Sequence, residues 1–219
     1  MSATVTIAKD IFSGRIFHID NVDKIVKSEF ECCECKQKLS PVKTEARKKD
    51  WHFRHQNLSD IQKCRSTALH NFAVQIIKEH TEISVSKALK IVYSDPKTEV
   101  TLFGKRSDVT VKYSNVDVHF EVFVTHDIGK DKIDIYKTNK VKCVKIDLSD
   151  SGLLIASPNK IKEAVLDDYK NKSIIYWQDD EFKPYLVKET GFSLKYILIV
   201  IGVFIGLKFL FNLFKRNRN

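Results

Sequence analysis

The alternation of apolar and polar residues predicts its clearest strands in the middle of the chain. Val109, Val111 and Tyr113 alternate with polar residues, and the alternation resumes from Val116 to Val124 after a polar pair, Ser114-Asn115. Period two is typical of strands with one buried face, and a short polar pair between two such runs is typical of a hairpin. We therefore predict an antiparallel hairpin here.

Apolar residues at three- and four-residue steps predict a helix that begins at Ser66 or Thr67 and ends near Thr81. Further along, the pattern predicts a helix over 130–139, a strand over 141–148, a helix from Pro158 to about Asn171 and an edge strand over 174–177. Helices that alternate with strands in this order indicate an α/β fold around a mixed sheet.

The first 64 residues lack a long periodic segment. Short apolar runs are separated by turn formers at Phe12-Ser13-Gly14 and Asp20-Asn21, which predicts a small hairpin-like lead-in. Residues 30–64 are rich in lysine and poor in apolar side chains, so we expect this segment to have little hydrophobic core of its own and to need another source of stability.

Cysteine and histidine spacing in that segment predicts a metal site. A Cys-x-x-Cys pair is followed by histidine and a further cysteine, and the predicted zinc ligands are Cys32, Cys35, His55 and Cys64. Four protein ligands close a tetrahedral shell, so the site would be structural and not catalytic. His52 competes with His55 for the third position, and Cys33 is a spare thiol. A redox pair or free thiols are the alternative.

The end of the chain carries a 21-residue, nearly all apolar segment, Leu194 to Phe214, which is about the length that crosses a bilayer. Lys208 interrupts it, although a long side chain near the end can reach the headgroups. An interfacial or self-associating helix is the alternative. No apolar signal-type stretch follows Met1, so we expect a single-pass membrane protein whose main domain is cytoplasmic.

The net charge of +9 says little about the partner of the main domain, because the tail holds five of the 37 basic residues. The remaining mild basic excess is compatible with nucleic acid as a partner but does not require it.

Two acidic residues mark a candidate catalytic site. Asp108 opens the first strand of the predicted hairpin and Glu121 lies in the second, so strand pairing could bring both carboxylates to one end of the sheet. Such a pair can bind magnesium, which polarises phosphodiesters and activates water in hydrolytic enzymes. Two solvated surface carboxylates are the alternative.

A set of short blocks over roughly residues 1–150 resembles the competence protein CoiA-like family. The blocks are Ile7-Ala8-Lys9-Asp10 with Ser13-Gly14, Phe30-Glu31-Cys32-Cys33-Glu34-Cys35, His52-Phe53-Arg54-His55, Cys64, Thr67-Ala68-Leu69-His70, Arg106-Ser107-Asp108 and Phe120-Glu121-Val122-Phe123-Val124-Thr125-His126. The resemblance implies a restriction-endonuclease-like core of the PD-(D/E)xK superfamily behind a zinc finger-like module. It also implies that Asp108 and Glu121 are the metal-binding carboxylates and that His70 lies on a helix beside them.

One position departs from the family motif. The lysine expected two residues after the second carboxylate is Phe123, so the group that would orient water or stabilise negative charge is missing from its usual place. Lys132 could supply an ammonium group from the next helix, or it could be an exposed helix lysine. His126 is a candidate metal ligand or base, or it only ends the strand. Asp147 follows the third strand and could be structural.

The sequence therefore predicts a chain of three parts. Residues 1–65 would form the lead-in and zinc module, residues 66–190 the nuclease core, and residues 194–214 the membrane helix. The predicted function is a membrane-anchored, magnesium-dependent DNA nuclease that acts on incoming DNA in competence or phage defence. Alternatives are an adaptor that kept the fold and zinc but lost catalysis, and a membrane protein whose zinc module only recruits protein partners.

Overall fold

The computed structural model describes residues 4–23, 28–44, 51–57 and 60–177. The predicted membrane segment, 194–214, lies outside these residues. Within them, no helix is both long enough and apolar enough to cross a membrane. The described residues belong to one compact unit of mixed α/β architecture, which confirms the predicted fold class at that level.

The N-terminal sheet has six short strands in the order β1-β6-β5-β4-β2-β3, all paired antiparallel. The strands are β1 (Thr4–Val5), β2 (Ile7–Asp10), β3 (Ile16–His18), β4 (Phe30–Glu31), β5 (Lys38–Val42) and β6 (His52–His55). The predicted lead-in hairpin is therefore present as β2 and β3, but it is part of a larger sheet.

This sheet has its own hydrophobic cluster. The cluster is buried between the strands and the start of the first helix, and it contains Val5, Ala8, Ile19, Val22, Phe30, Cys32, Leu39, Phe53 and Cys64. Residues 30–64 do not form this cluster by themselves, in line with the expectation that they have little core of their own. Their few apolar residues are shared with residues 4–23, which the local composition of the segment cannot reveal.

Three helices follow in the chain: α1 (Ile61–Glu79), α2 (Lys130–Thr138) and α3 (Pro158–Leu166). Helix α1 begins five residues before the predicted start, because the Asp60 carboxylate caps it by accepting a hydrogen bond from the Lys63 amide. Helix α3 begins at Pro158 as predicted but ends at Leu166, and Tyr169–Asn171 form a separate 3-10 turn.

The main sheet has five strands in the order β15-β14-β13-β12-β9. Its strands are β9 (Ser94–Thr98), β12 (Val109–Tyr113), β13 (Val116–Phe123), β14 (Cys143–Asp147) and β15 (Lys172–Tyr176). Strands β13 and β14 are parallel and α2 connects them, whereas the other pairs are antiparallel. The predicted hairpin, third strand and edge strand are all present, and the sheet is mixed as predicted.

Two small hairpins were not predicted, one directly after α1 in the chain and one between β9 and β12. They are formed by β7 (Glu82–Ser86) with β8 (Leu89–Val92) and by β10 (Thr101–Leu102) with β11 (Lys105–Arg106). Helix α1 contacts strands of both large sheets, and its apolar face enters the main core. It is thus the element that connects the cysteine-containing sheet to the main sheet.

Candidate functional site

The four predicted zinc ligands lie together. One ligand atom each from Cys32, Cys35, His55 and Cys64 lies within 4.8 Å of every other. A tetrahedral zinc ion with bonds of about 2.3 Å needs its sulfur ligands about 3.8 Å apart, so a small contraction would complete the shell. These residues are close enough to hold a metal such as zinc.

A tight turn and a helix start place the three thiols. Cys32 follows β4, and its amide donates to the Gln37 carbonyl at 2.9 Å, closing a turn that passes through Lys36 in the left-handed region (φ +59°). This turn brings Cys35 back beside Cys32. Cys64 lies in the first turn of α1, where the helix dipole stabilises a thiolate.

The face of β6 decides which histidine joins the thiols. Phe53 and His55 lie on the buried face, whereas His52 and Arg54 alternate with them and point to the opposite side. Cys33 is also excluded, because its side chain enters the main hydrophobic core and not the ligand cluster. The cluster that could hold a metal therefore contains His55, as predicted, and excludes His52 and Cys33.

Burial raises the pKa of the Cys32 thiol to about 12. A thiol of this kind is protonated at neutral pH in the metal-free protein. Zinc binding would therefore release protons, as is usual for cysteine sites, and the affinity would rise with pH.

A second cluster of polar side chains lines a cleft of about 400 Å³ between α1, α2 and the end of β13. It includes the predicted catalytic residues and their neighbour on α1, namely His70, Asp108, Glu121, His126 and Lys132. Val109 pairs with Phe120, and Asp108 and Glu121 are the next residues outward from this pair. The hairpin therefore brings the two carboxylates together, as the sequence predicted.

Lys132 and Tyr136 both bond to Glu121. The Lys132 ammonium lies 2.5 Å from Oε2 of Glu121 and 2.7 Å from the Arg106 carbonyl oxygen. The Tyr136 hydroxyl donates to Oε1 of Glu121 at 2.8 Å. Lys132 is one turn before Tyr136 on α2, and only 18% of its side chain is exposed. The interpretation of Lys132 as an exposed helix lysine is therefore wrong.

Asp108 is held by two partners. Its Oδ2 accepts a hydrogen bond from the Val122 amide at 2.8 Å and lies 3.2 Å from Nε2 of His70. Burial raises the pKa of Asp108, but the bonds from His70 and Val122 outweigh burial and lower it overall. Burial lowers the pKa of His70, but the Asp108 carboxylate outweighs it and the net change is a rise. The pair is therefore charged over a wide pH range.

Glu121 is perturbed in the opposite sense. Burial, and then the negative charge of Asp108, raise the pKa of Glu121 despite its bonds to Lys132 and Tyr136. A buried carboxylate beside a second carboxylate is an arrangement that a cation would relieve. Carboxylate oxygens are also the ligands that magnesium prefers, so the donor set fits that ion.

We expect the His70–Asp108 pair to make stability depend on pH. The raised pKa of His70 means that its contribution is complete below about pH 6.5 and is lost as the pH rises through the folded-state pKa. Asp108 has a lowered pKa, so its contribution is lost only as the pH falls well below about 3.8. Urea unfolding with zinc present and magnesium absent should show that His70→Gln costs about 1 kcal/mol more near pH 6 than near pH 8.5. An equal cost at both pH values would contradict the pairing.

Of the two remaining predicted residues, His126 lines the cleft and Asp147 does not. His126 is exposed at the edge of the cleft, just after β13, and its Nδ1 lies 3.0 Å from the Thr125 hydroxyl. Asp147 accepts hydrogen bonds from the amide and hydroxyl of Ser149, so it stabilises the turn after β14. It does not line the Asp108 cleft.

Sequence reasoning missed two contributors to the site. Tyr136 could have been found from its spacing, because it lies four residues after Lys132 and residues four apart share one face of a helix. Glu34 lies within the cysteine turn, accepts a 2.8 Å hydrogen bond from the Thr67 hydroxyl and forms an ion pair with Lys63. Thr67 and Lys63 line the cleft, so Glu34 joins the metal centre to the cleft through α1. No local sequence signal marks the contacts of Glu34 with Thr67 and Lys63.

Comparisons with known proteins found no family model that matches the chain and no curated protein or solved structure with significant similarity to it. The functional conclusion therefore depends on the residues of the two sites.

Proposed function

We propose that the chain is a magnesium-dependent DNA nuclease that hydrolyses phosphodiester bonds in the cleft of Asp108, Glu121 and Lys132. The observation that carries the proposal is the 2.5 Å contact between the Lys132 ammonium and Glu121. It supplies, from α2, the positive charge that the resemblance places at position 123, where this chain has phenylalanine.

The chemistry assigns a role to each side chain. In hydrolysis, a water oxygen forms a bond to phosphorus, the bond from phosphorus to the leaving oxygen breaks, and the leaving oxygen takes up a proton. Asp108 and Glu121 would hold magnesium, which supplies Lewis-acid polarisation of the phosphodiester. Lys132 would stabilise negative charge that develops on the phosphate oxygens. Tyr136 keeps Glu121 oriented by its 2.8 Å hydrogen bond.

The fold is compatible with this assignment. The hairpin of β12 and β13, the connecting helix α2 and the parallel strand β14 form a mixed sheet with both carboxylates at one end. We propose that this sheet is a restriction-endonuclease-like core, as the CoiA-like resemblance implies. The metal centre would hold structural zinc, since its four protein ligands leave no position for substrate.

The cellular setting of the proposal rests on the sequence alone. The apolar segment 194–214 would anchor the chain in the cell membrane, with the nuclease on the cytoplasmic side. An enzyme held there would meet DNA as it enters, either during competence or from a phage.

We expect Lys132→Gln in the full-length protein to lower the rate of DNA cleavage about 10²- to 10³-fold, because a positioned charge donor is lost. Cleavage of a labelled DNA would be followed with magnesium added or withheld. Withholding is preferable to chelation, since a chelator would also remove zinc. Lys137→Gln is the matched control, because Lys137 lies on the exposed face of the same helix.

The adaptor is the second candidate, and Phe123 is the observation that favours it, because the motif position lacks its lysine. It predicts salt-sensitive DNA binding with no cleavage under any divalent metal. Wild-type protein that binds DNA but does not cut it with magnesium or manganese would replace the nuclease proposal with this one.

A further inference from the structure

The β10–β11 hairpin has an unusual residue at its tip. Phe103 and Gly104 form the two-residue turn, with φ of +50° and +73°, and 55% of Phe103 is exposed to solvent. Turns of this type favour asparagine or glycine, because a bulky side chain is strained in left-handed backbone. Phenylalanine at this position is unfavourable for the backbone and also exposes an aromatic ring. Folding stability does not explain its presence.

The hairpin is held firmly beside the cleft. Its second strand leads directly into Asp108, and the Arg106 carbonyl accepts the 2.7 Å hydrogen bond from Lys132. Lys105 forms an ion pair with Asp131 at the start of α2, and Leu102 packs against the buried cluster around Tyr136. Phe103 precedes Asp108 by five positions, so their backbone atoms are at most about 18 Å apart.

The cleft continues past Asp108 into a basic cavity of about 700 Å³. This cavity shares His70 and Asp108 with the first cleft, and its lining includes the basic side chains of Lys9, Lys36, Lys78 and Arg106, with Glu99 as a further acidic residue. Its rim also includes Gly14 of the β2–β3 turn, two residues after Phe12, which is 75% exposed. Phe12 and Phe103 are thus exposed aromatic residues on two turns, and a near neighbour of each along the chain, Gly14 and Arg106, lines this basic cavity.

A basic groove with exposed aromatic rings is the combination that binds single-stranded nucleic acid. In such grooves lysine and arginine side chains contact successive phosphates, and aromatic rings stack on bases. In a duplex both faces of each internal base are covered by neighbouring base pairs, so a protein ring can stack on an internal base only where that stack has been opened.

We propose that Phe103 stacks on an unpaired base of the DNA strand bound beside the cleft, so that the substrate is single-stranded or locally opened DNA. This inference rests on the proposed function, because it specifies the substrate class of the same cleft. Phe103 acts as a binding residue and takes no part in bond cleavage.

Binding to full-length protein without magnesium tests this inference, because DNA then stays intact. The probes are a single-stranded oligonucleotide containing the fluorescent base 2-aminopurine and the duplex of the same sequence. Phe103→Asn should weaken single-strand binding about tenfold, remove the quenching of 2-aminopurine and change duplex binding less than about twofold. Asparagine suits the left-handed turn, so the hairpin should remain folded. Phe103→Trp should restore both binding and quenching.

Val116→Ala is the matched control, since Val116 is an exposed apolar residue at the far end of the β12–β13 hairpin. It should bind both probes as the wild type does. Equal binding of the single strand by wild type and Phe103→Asn would overturn the inference, and so would an equal loss for single strand and duplex. These binding results are separate from cleavage, so a wild type that cuts DNA while Phe103→Asn binds normally would refute only this inference.

Discussion

Asp108→Asn should lower the rate of magnesium-dependent DNA cleavage about a thousandfold, the loss expected when several kcal/mol of transition-state stabilisation disappear. Asp108 and Glu121 are the two carboxylates of the cleft that would hold the cation. Asparagine removes the negative charge but retains an oxygen that can accept the 2.8 Å hydrogen bond from the Val122 amide. The substitution therefore changes metal affinity more than structure.

Asp117→Asn is the matched control for this measurement. Asp117 lies on β13 of the same hairpin, is exposed and pairs with Lys112 far from the cleft. Steady-state cleavage should be followed over a range of magnesium concentrations, and the fold of each variant should be checked by circular dichroism. A folded Asp108→Asn protein that cleaves DNA at the wild-type rate would refute the assignment of the site.

Cys64→Ser should abolish zinc binding by the four-residue cluster and destabilise the N-terminal sheet. Structural zinc contributes on the order of 10 kcal/mol to the folding of zinc-finger peptides. Here the sheet also has its own hydrophobic cluster, so we expect a smaller loss of roughly 4 kcal/mol, which corresponds to a fall in Tm of about 8–16 °C. Zinc content per chain and thermal unfolding by circular dichroism measure both effects.

Cys33→Ala is the control for zinc content, because Cys33 is adjacent to Cys32 in sequence but lies outside the ligand group. It should keep one zinc ion per chain. Loss of zinc in Cys33→Ala together with retention in Cys64→Ser would show that the ligand set is wrong.

The link through Glu34 extends the same prediction to catalysis. Glu34 lies between two cysteines of the turn and bonds to Thr67 and Lys63, which line the cleft. Removing zinc should release this turn from α1 and lower cleavage even though no zinc ligand lines the cleft itself. On this prediction the metal centre would have a second structural role, which is to fix the position of α1.

The local sequence was sufficient to predict features whose parts lie close together along the chain. The β12–β13 hairpin follows from period-two alternation over two runs and from the Ser114-Asn115 turn, whose residues both adopt positive φ. The Cys32 and Cys35 pair follows from spacing and chemistry, because a Cys-x-x-Cys turn can present two thiolates to one ion. These features depend on few distant contacts, so the sequence pattern predicts them directly.

The tertiary structure decided the features that depend on pairing between distant segments. Strands of two to five residues show too little alternation to be recognised in the sequence. The six-stranded N-terminal sheet and its shared core therefore depend on pairings between distant segments, such as that of β1 with β6. The structure likewise decided that Lys132 and Tyr136 both reach Glu121, since α2 must first pack beside β13. The sequence by itself predicted the candidate metal ligands and the carboxylate pair, and tertiary packing decided between His52 and His55 and determined which charged groups surround that pair.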